Sequence, residues 1–304
     1  MASVQQQLST LAVQNSQLVE TFNQAQADVE AKLHKADHAR LAANQAQATY
    51  RTARVQLTQT VAAQYEGGSF SATGALLSSN NGQSYLDQLN TLSVMSSHTA
   101  QMIARATAAK RSSSEADHQA KTLLASATAK RDALGKKKDA VQQQIDKYTT
   151  LLATLNAAQR AAFLRTISPP APAAAVAKVN VPVHGGTAQG RKAAEFAIAQ
   201  VGKPYVFAAA GPDQYDCSGL TMAAWATVGV ALPHSAEQQY GYGTHVALSQ
   251  LLPGDLVFLY SPIGHVEIYI GNGMVVSAPQ PGESVKIVAL NGHLGDIVGA
   301  TRLP

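Results

Sequence analysis

Residues 215–229 read "YDCSGLTMAAWATVG" and contain Cys217, the only cysteine among the 304 residues. A lone cysteine cannot form an internal disulfide, so it is either buried filler or a reactive thiol. Small and apolar residues follow it as far as Gly229, which predicts a helix that begins at the cysteine. The free N–H groups at a helix N-terminus stabilise a thiolate, so this position favours a reactive thiol.

A predicted strand at residues 265–270, "HVEIYI", supplies a base for that thiol. Its alternation places His265, Glu267 and Tyr269 on one face and three aliphatic residues on the other. We expect the aliphatic face to form the core and His265 to face a cleft. A cysteine that begins a helix, opposite a histidine on a strand, is the catalytic arrangement of papain-type proteases.

Several motifs agree with this arrangement and occur at ordinary domain spacings. In chain order they are "GKPYVF" (202–207), "DCSGL" (216–220), "LPHSAEQQ" (232–239), "LLPGDLVF" (251–258) and "GHVEIYIGNG" (264–273). The series resembles the NlpC-type peptidoglycan endopeptidases, a papain-like family, over residues 188–304. The resemblance implies hydrolysis of the γ-D-glutamyl–meso-diaminopimelate bond of wall stem peptides, with Cys217 as nucleophile and His265 as base.

The same resemblance implies a substrate-binding role for residues near the cysteine. Tyr205 matches a tyrosine that lines the cleft near the oxyanion, and Asp216 and Ser218 match the pair that flanks the nucleophile and helps to bind substrate. Asp216 has an alternative role as the N-cap of the helix. His234 stands where many members carry arginine, and we predict that it contacts substrate.

The sequence departs from the family at the third catalytic position, where a histidine, glutamate or other strong polar group is usual. Ser277 stands there, twelve residues after His265. Glu267 stands where relatives usually have a small residue, and a hairpin with a "GNG" loop would place it opposite Ser277. Either side chain could orient His265. Phe207 also replaces the usual tryptophan, and alanines at 208–210 replace glycines.

The first half of the chain has a different pattern. Small and apolar residues recur at alternating steps of three and four from Leu8 to Leu57, including Leu18, Phe22 and Val29, and only Asn15 interrupts them. A single polar seam residue can fix the register of a coiled coil. Turn-forming residues at 65–85 separate this segment from a second heptad-like region, which predicts an antiparallel coiled-coil hairpin.

This half resembles the N-terminal region of division hydrolases of the PcsB and RipC type. That resemblance implies a regulatory arm that docks on the extracellular part of an FtsE–FtsX complex. We therefore predict a coiled coil at 1–165, a Pro/Ala-rich linker at 166–187 and a catalytic domain at 188–304. The predicted fold is α+β, with papain-like helices packed on an antiparallel β-meander.

Charge and composition exclude other classes. Residues 1–165 hold 17 Lys and Arg against 11 Asp and Glu, but the basic residues are scattered and lack interleaved aromatics, which argues against nucleic-acid binding. No apolar run is long enough to span a membrane. The spacings of His234, His245, His265 and His293 match no zinc pattern, and we expect no metal or cofactor.

The cellular location and the activity are also expectations. We expect a secreted wall protein, although this sequence shows no export signal. A catalytically weak wall-binding or scaffold protein of the division machinery is the alternative to an active cysteine peptidase.

Overall fold

The structure is a computed structural model that describes residues 2–66, 74, 79–171, 183–293 and 296–304. About half of the predicted turn at 65–85 and half of the predicted linker at 166–187 lie outside the described residues. Two long helices dominate the first half, α1 (Ala2–Glu66) and α2 (Gly82–Ala153). No helix in the described part of the chain is long and apolar enough to cross a membrane.

The long helices run antiparallel, as predicted. Thr60 donates to the sulfur of Met102, and Ser113 donates to Gln47 over 2.6 Å. The contact with the lower residue number in α1 therefore has the higher number in α2, as in antiparallel helices. The chain divides into two compact units, of which the first comprises Met1–Val29 with Arg131–Pro304 and the second comprises Glu30–Lys130.

The buried face of α1 within the first unit differs in part from the predicted seam. Phe22 and Val29 are buried as expected, but Leu18 is 38% exposed and Val19 is only 1% exposed. Leu18 was therefore wrongly assigned to the seam. Two polar residues, Glu20 and Asn23, are also buried. This stretch of α1 thus has a second buried face that a heptad pattern does not predict.

A short helix, α3 (Ala157–Ile167), follows α2, and the chain then packs against the last part of the protein. The N–H of Ala171 donates to the carbonyl of Ile287 over 3.0 Å, and Lys286 donates to the carbonyl of Ser168. The first residues of the predicted linker are therefore fixed to the predicted catalytic domain, residues 188–304, which we call the catalytic half.

The catalytic half is an α+β structure, as predicted. Its helices are α4 (Ala188–Ala199), α5 (Cys217–Ala226) and α6 (Ala236–Tyr240). Its strands are β1 (Thr244–His245), β2 (Leu256–Leu259), β3 (His265–Gly271), β4 (Met274–Ser277), β5 (Lys286–Ala289) and β6 (Ile297–Arg302). The antiparallel sheet has the order β1-β6-β2-β3-β4-β5, so β2 to β5 form a meander and β6 returns to pair with β2.

Both faces of the sheet are covered. Val266, Ile268 and Ile270 pack on one face with residues of α4 and α5, which bury the predicted aliphatic side of β3. The other face carries a second apolar cluster that includes Val257 and Val275. His265 lies on this second side of β3, where it is buried and lines a cavity.

Candidate active site

Helix α5 begins at Cys217 because Asp216 caps it. The Asp216 side chain accepts a hydrogen bond from the N–H of Gly219 over 2.7 Å, which satisfies one of the free donors of the first turn. The first turn also lies against the 209 carbonyl: a Cβ at Gly219 would stand 2.2 Å from the Ala209 oxygen. Glycine is therefore required two residues after the cysteine, as the "DCSG" motif has it.

Cys217 and His265 form the candidate catalytic pair. Cys217 begins α5 and His265 begins β3, both residues are buried, and the charge of the cysteine acts on the imidazole. Burial lowers the pKa of His265, but the negative charges of Cys217 and Glu267 outweigh it and raise that pKa to about 10. His265 is therefore an imidazolium at neutral pH, which is the partner that a nucleophilic thiolate needs.

Two side chains approach the Nε2 atom of His265. The hydroxyl of Ser277 lies 3.1 Å from it, and Oε1 of Glu267 lies 3.5 Å from it. Both residues are buried, so the structure brings together both candidates for the third catalytic position. The serine has the shorter contact, whereas the glutamate supplies a charge opposite to that of the imidazolium.

The residues that flank the cysteine form a polar group of their own. Nε2 of His234 lies 2.8 Å from Asp216 Oδ1, so the aspartate binds the histidine as well as capping the helix. Asn23 of α1 donates to Asp216 and to the hydroxyl of Ser218, each over 3.2 Å. Asp216 was expected either to cap the helix or to bind substrate, and the structure shows the cap.

Tyr205 lies beside the cysteine and is almost fully buried. Burial and the negative charges of Cys217 and Asp216 raise the pKa of Tyr205 well above its ordinary value. Its hydroxyl therefore keeps its proton and can donate a hydrogen bond near the reacting thiol.

Comparison with known proteins identifies the family. The chain is 31% identical over 339 residues to a "Probable endopeptidase" of Mycobacterium tuberculosis, and the match covers 97% of this chain and 88% of that protein. Residues 202–295 match the model of the NlpC/P60 family. The chain belongs to the NlpC/P60 family. It is also 39% identical over 117 residues to "Peptidoglycan endopeptidase RipA" of the same organism, over 32% of this chain and 25% of that one.

A solved NlpC/P60 relative is the peptidoglycan hydrolase RipB of M. tuberculosis. It is 31% identical to this chain, with a TM-score of 0.34, and the match covers 38% of this chain and 67% of that one.

The base of α1 covers this NlpC/P60 site, which sequence reasoning did not predict residue by residue. We call residues 4–29 of α1 the cover segment. Within it, the carboxylate of Glu20 accepts hydrogen bonds from the Ser235 hydroxyl and from the N–H groups of Ala236 and Glu237. Burial raises the pKa of Glu20, the three hydrogen bonds oppose that rise, and the charge of Asp216 adds to it.

Apolar contacts complete the cover. The rings of Phe22 and Phe207 meet edge to face with centroids 4.8 Å apart, so the phenylalanine that departs from the family's tryptophan packs against α1. A Cβ at Gly264 would lie 3.3 Å from the backbone nitrogen of Gln17, which shows how closely α1 approaches the residue before His265. The only signal in the sequence was the pair of polar residues, Glu20 and Asn23, beside Phe22.

The described residues contain no group of three or more His, Cys, Asp or Glu side chains that could hold a metal ion. His234 and His265 instead contact Asp216 and the Ser277–Glu267 pair respectively.

Proposed function

We propose that this NlpC/P60 protein is a cysteine endopeptidase that hydrolyses the γ-D-glutamyl–meso-diaminopimelate bond of peptidoglycan stem peptides. The observation that carries the proposal is the buried Cys217–His265 pair at the N-terminus of α5. The names of the relatives, which are endopeptidases and peptidoglycan hydrolases, support the reaction and the polymer.

The geometry is suited to acyl transfer. The Cys217 thiolate attacks the γ-carbonyl carbon, and the oxyanion forms beside the first-turn N–H of α5 and the Tyr205 hydroxyl. The His265 imidazolium gives its proton to the leaving amine, and a thioester remains on the sulfur. Neutral His265 then takes a proton from water, the resulting hydroxide displaces the thiolate, and the pair returns to its starting state.

We assign supporting roles to the residues around the pair. Ser277 and Glu267 orient the imidazolium from its Nε2 side. Asp216, Ser218 and His234 bind the acyl portion of the substrate, because they form the polar group next to the nucleophile.

The test of the reaction is digestion of purified muropeptides with mass analysis of the products. Cys217→Ala should lower the rate by at least about 1,000-fold, because removal of a nucleophile leaves only residual binding effects. Ser112→Ala, an exposed change on α2, should leave the rate unchanged. Masses that correspond to a different bond would refute the assigned specificity, and wall binding without cleavage by any form of the protein would favour the scaffold alternative.

Regulation by the coiled coil is part of the proposal. The cover segment places Asn23 on Asp216 and Ser218, the side chains assigned to the acyl portion of the substrate. Substrate and α1 therefore compete for the same groups. We infer that the protein works outside the cytoplasmic membrane in cell-wall remodelling during division, and that an FtsE–FtsX-type complex relieves the competition by binding the arm.

The partner can be tested with the full chain. Addition of the extracellular part of an FtsX-type protein should speed muropeptide cleavage by the wild-type chain. It should have little effect on Glu20→Ala, in which the cover is already weakened. An equal response of both forms, or no response of either, would contradict relief of the cover by this partner.

A further inference from the structure

The hairpin of α1 and α2 brings together basic residues that are far apart in the sequence. Two side-chain contacts between the helices, Gln47 with Ser113 and Thr60 with Met102, mark the ends of a stretch about 20 Å long. The stretch comprises residues 47–60 and 102–113. Its basic residues are all exposed, and we call them the cationic band: Arg51, Arg54, Arg105, Lys110 and Arg111.

The cationic band contains no acidic residue. The sequence has no Asp or Glu at 38–65 or at 88–114, and the first acid beyond the band on α2 is Glu115. No cation of the band forms an ion pair within the described part of the chain. Two cations beyond the band do, since Arg40 pairs with Asp37 and Lys121 pairs with Asp117.

This arrangement does not serve the hairpin itself. Coiled coils usually place opposite charges at the positions that flank the seam between the helices, because such charges attract each other. Like charges at neighbouring positions repel and destabilise helices by a few tenths of a kcal/mol per pair. An anion from outside the chain would remove that repulsion.

The cations lie on both sides of the seam. On α2, Arg105 directly precedes the buried Ala106 and Lys110 directly follows the half-buried Ala109, so they flank the seam on opposite sides. On α1, Arg54 directly follows a half-buried seam residue. In antiparallel helices the positions that follow the seam lie on the same side, which places Arg54 on the side of Lys110. A rigid flat surface meets only one side of the hairpin, whereas a flexible chain can follow both.

The residue types favour phosphate groups. Four of the five cations are arginine, whose planar guanidinium binds a phosphate through two parallel hydrogen bonds. Single-stranded nucleic acids are also bound by aromatic side chains on which their bases stack. The stretch contains one aromatic residue, Tyr50, and it is half-buried. The band therefore fits a phosphate polymer without bases.

We propose that the cationic band binds a flexible wall polymer with phosphodiester groups in its backbone and thereby retains the protein in the wall. The binding uses neither Cys217 nor His265, so it does not depend on the reaction assigned to them. Because the band is exposed, salt screens its charges and weakens the binding.

The experiment is calorimetric titration of the full chain with poly(glycerol phosphate) at low and at high salt. Arg54→Gln/Lys110→Gln should weaken binding about tenfold, because each removed cation loses its attraction to the phosphates. Arg40→Gln/Lys121→Gln is the matched control, since it removes the same charge from the same helices outside the band. It should change the affinity by less than about twofold. Glutamine favours helices, and circular dichroism should show equal helix content in both variants.

Two other probes distinguish the kind of anion. Polyglutamate offers carboxylates on a flexible chain, and phosphatidylglycerol vesicles offer phosphates on a flat surface. Poly(glycerol phosphate) should bind more tightly than either. No binding of poly(glycerol phosphate) at low salt, or an equal loss in the two double variants, would overturn the proposal. Equal binding of polyglutamate would refute phosphate recognition, and equal or tighter binding of the vesicles would refute a polymer as the partner.

Discussion

Helix α1 makes different contacts on the two sides of the Cys217–His265 pair. On the side of Asp216, Asn23 of the cover segment donates hydrogen bonds to Asp216 and Ser218, and Glu20 accepts hydrogen bonds from the start of α6. On the side of Ser277, α1 only bounds a cavity. The cover segment therefore occupies Asp216 and Ser218 but leaves Cys217 and His265 next to each other. Under the proposed regulation, activation requires displacement of a helix and no rearrangement of Cys217 and His265.

The strongest test of this difference is removal of the Glu20 carboxylate. Glu20→Ala deletes three hydrogen bonds that hold the cover segment to α6 and the residue before it. Loss of buried charge-assisted bonds should weaken the covered state by about 2–3 kcal/mol, which corresponds to a rise in the turnover of the full chain of roughly 30- to 150-fold. Initial rates on muropeptides provide the measurement.

Asp37→Ala serves as the control for Glu20→Ala, because Asp37 is an exposed acid farther along α1. Its rate should match that of the wild type. If Glu20→Ala were folded and no faster than the wild type, the contacts of α1 would have to be structural and not inhibitory.

Substitutions of Glu267 and Ser277, which approach Nε2 of His265, test the other side of the Cys217–His265 pair. Glu267→Ala removes a charge and should lower turnover by about 10- to 100-fold, whereas Ser277→Ala removes a neutral hydrogen bond and should cost about two- to tenfold. Glu267→Gln separates charge from shape and should resemble the alanine variant. The reverse order, in folded variants, would assign the orienting role to Ser277 despite its lack of charge.

The ionisation of His265 tests whether the pair is assembled under the cover. Because its pKa is raised to about 10, its NMR signals should report an imidazolium at pH 7–9 and lose that form only as the pH rises through about 10. In Cys217→Ala the main charge that raises the pKa is absent while burial still lowers it, so the transition should move to lower pH. Titration near the ordinary value in the wild type would mean that α1 separates the pair.

Much of the catalytic half follows from local sequence patterns. The Asp216 cap, the glycine at 219 and the alternation of 265–270 each have a short-range physical cause, so α5 beginning at Cys217 and β3 beginning at His265 could be predicted. The resemblance to a family added the substrate. The return of β6 to β2 could not be read from the strand order, because it depends on contacts across the whole sheet.

The cover was predictable only as a general possibility. A heptad pattern describes one buried face of a helix, whereas the base of α1 buries a second face on the catalytic half. As a result Leu18, which was predicted to lie in the seam, is exposed, and Val19 is buried. Glu20 is buried because distant donors at 235–237 bond its carboxylate. Such long-range compensation leaves no periodic signal in a single sequence.

The smallest expected effect concerns Asn15, which breaks the apolar pattern of α1. It is 2% exposed, and neither polar atom of its side chain has a hydrogen-bond partner among the described residues. An unsatisfied buried amide costs about 1–3 kcal/mol, so it weakens the covered state. Asn15→Leu should remove part of that cost, about 1 kcal/mol, and lower the basal turnover of the full chain by roughly fivefold.

Gln7→Leu, an exposed change on the same helix, is the matched control and should leave turnover unchanged. A higher turnover in Asn15→Leu would indicate that the asparagine fixes the register of α1, as polar seam residues do in coiled coils, and that the leucine lets the helix slip. Turnover falls in the first case and rises in the second. A single rate measurement therefore shows whether Asn15 weakens the covered state or fixes the register of α1. Lower turnover in Asn15→Leu would mean that the unsatisfied Asn15 amide opposes the stabilising contacts of Glu20 and Asn23, so that α1 can be displaced more easily.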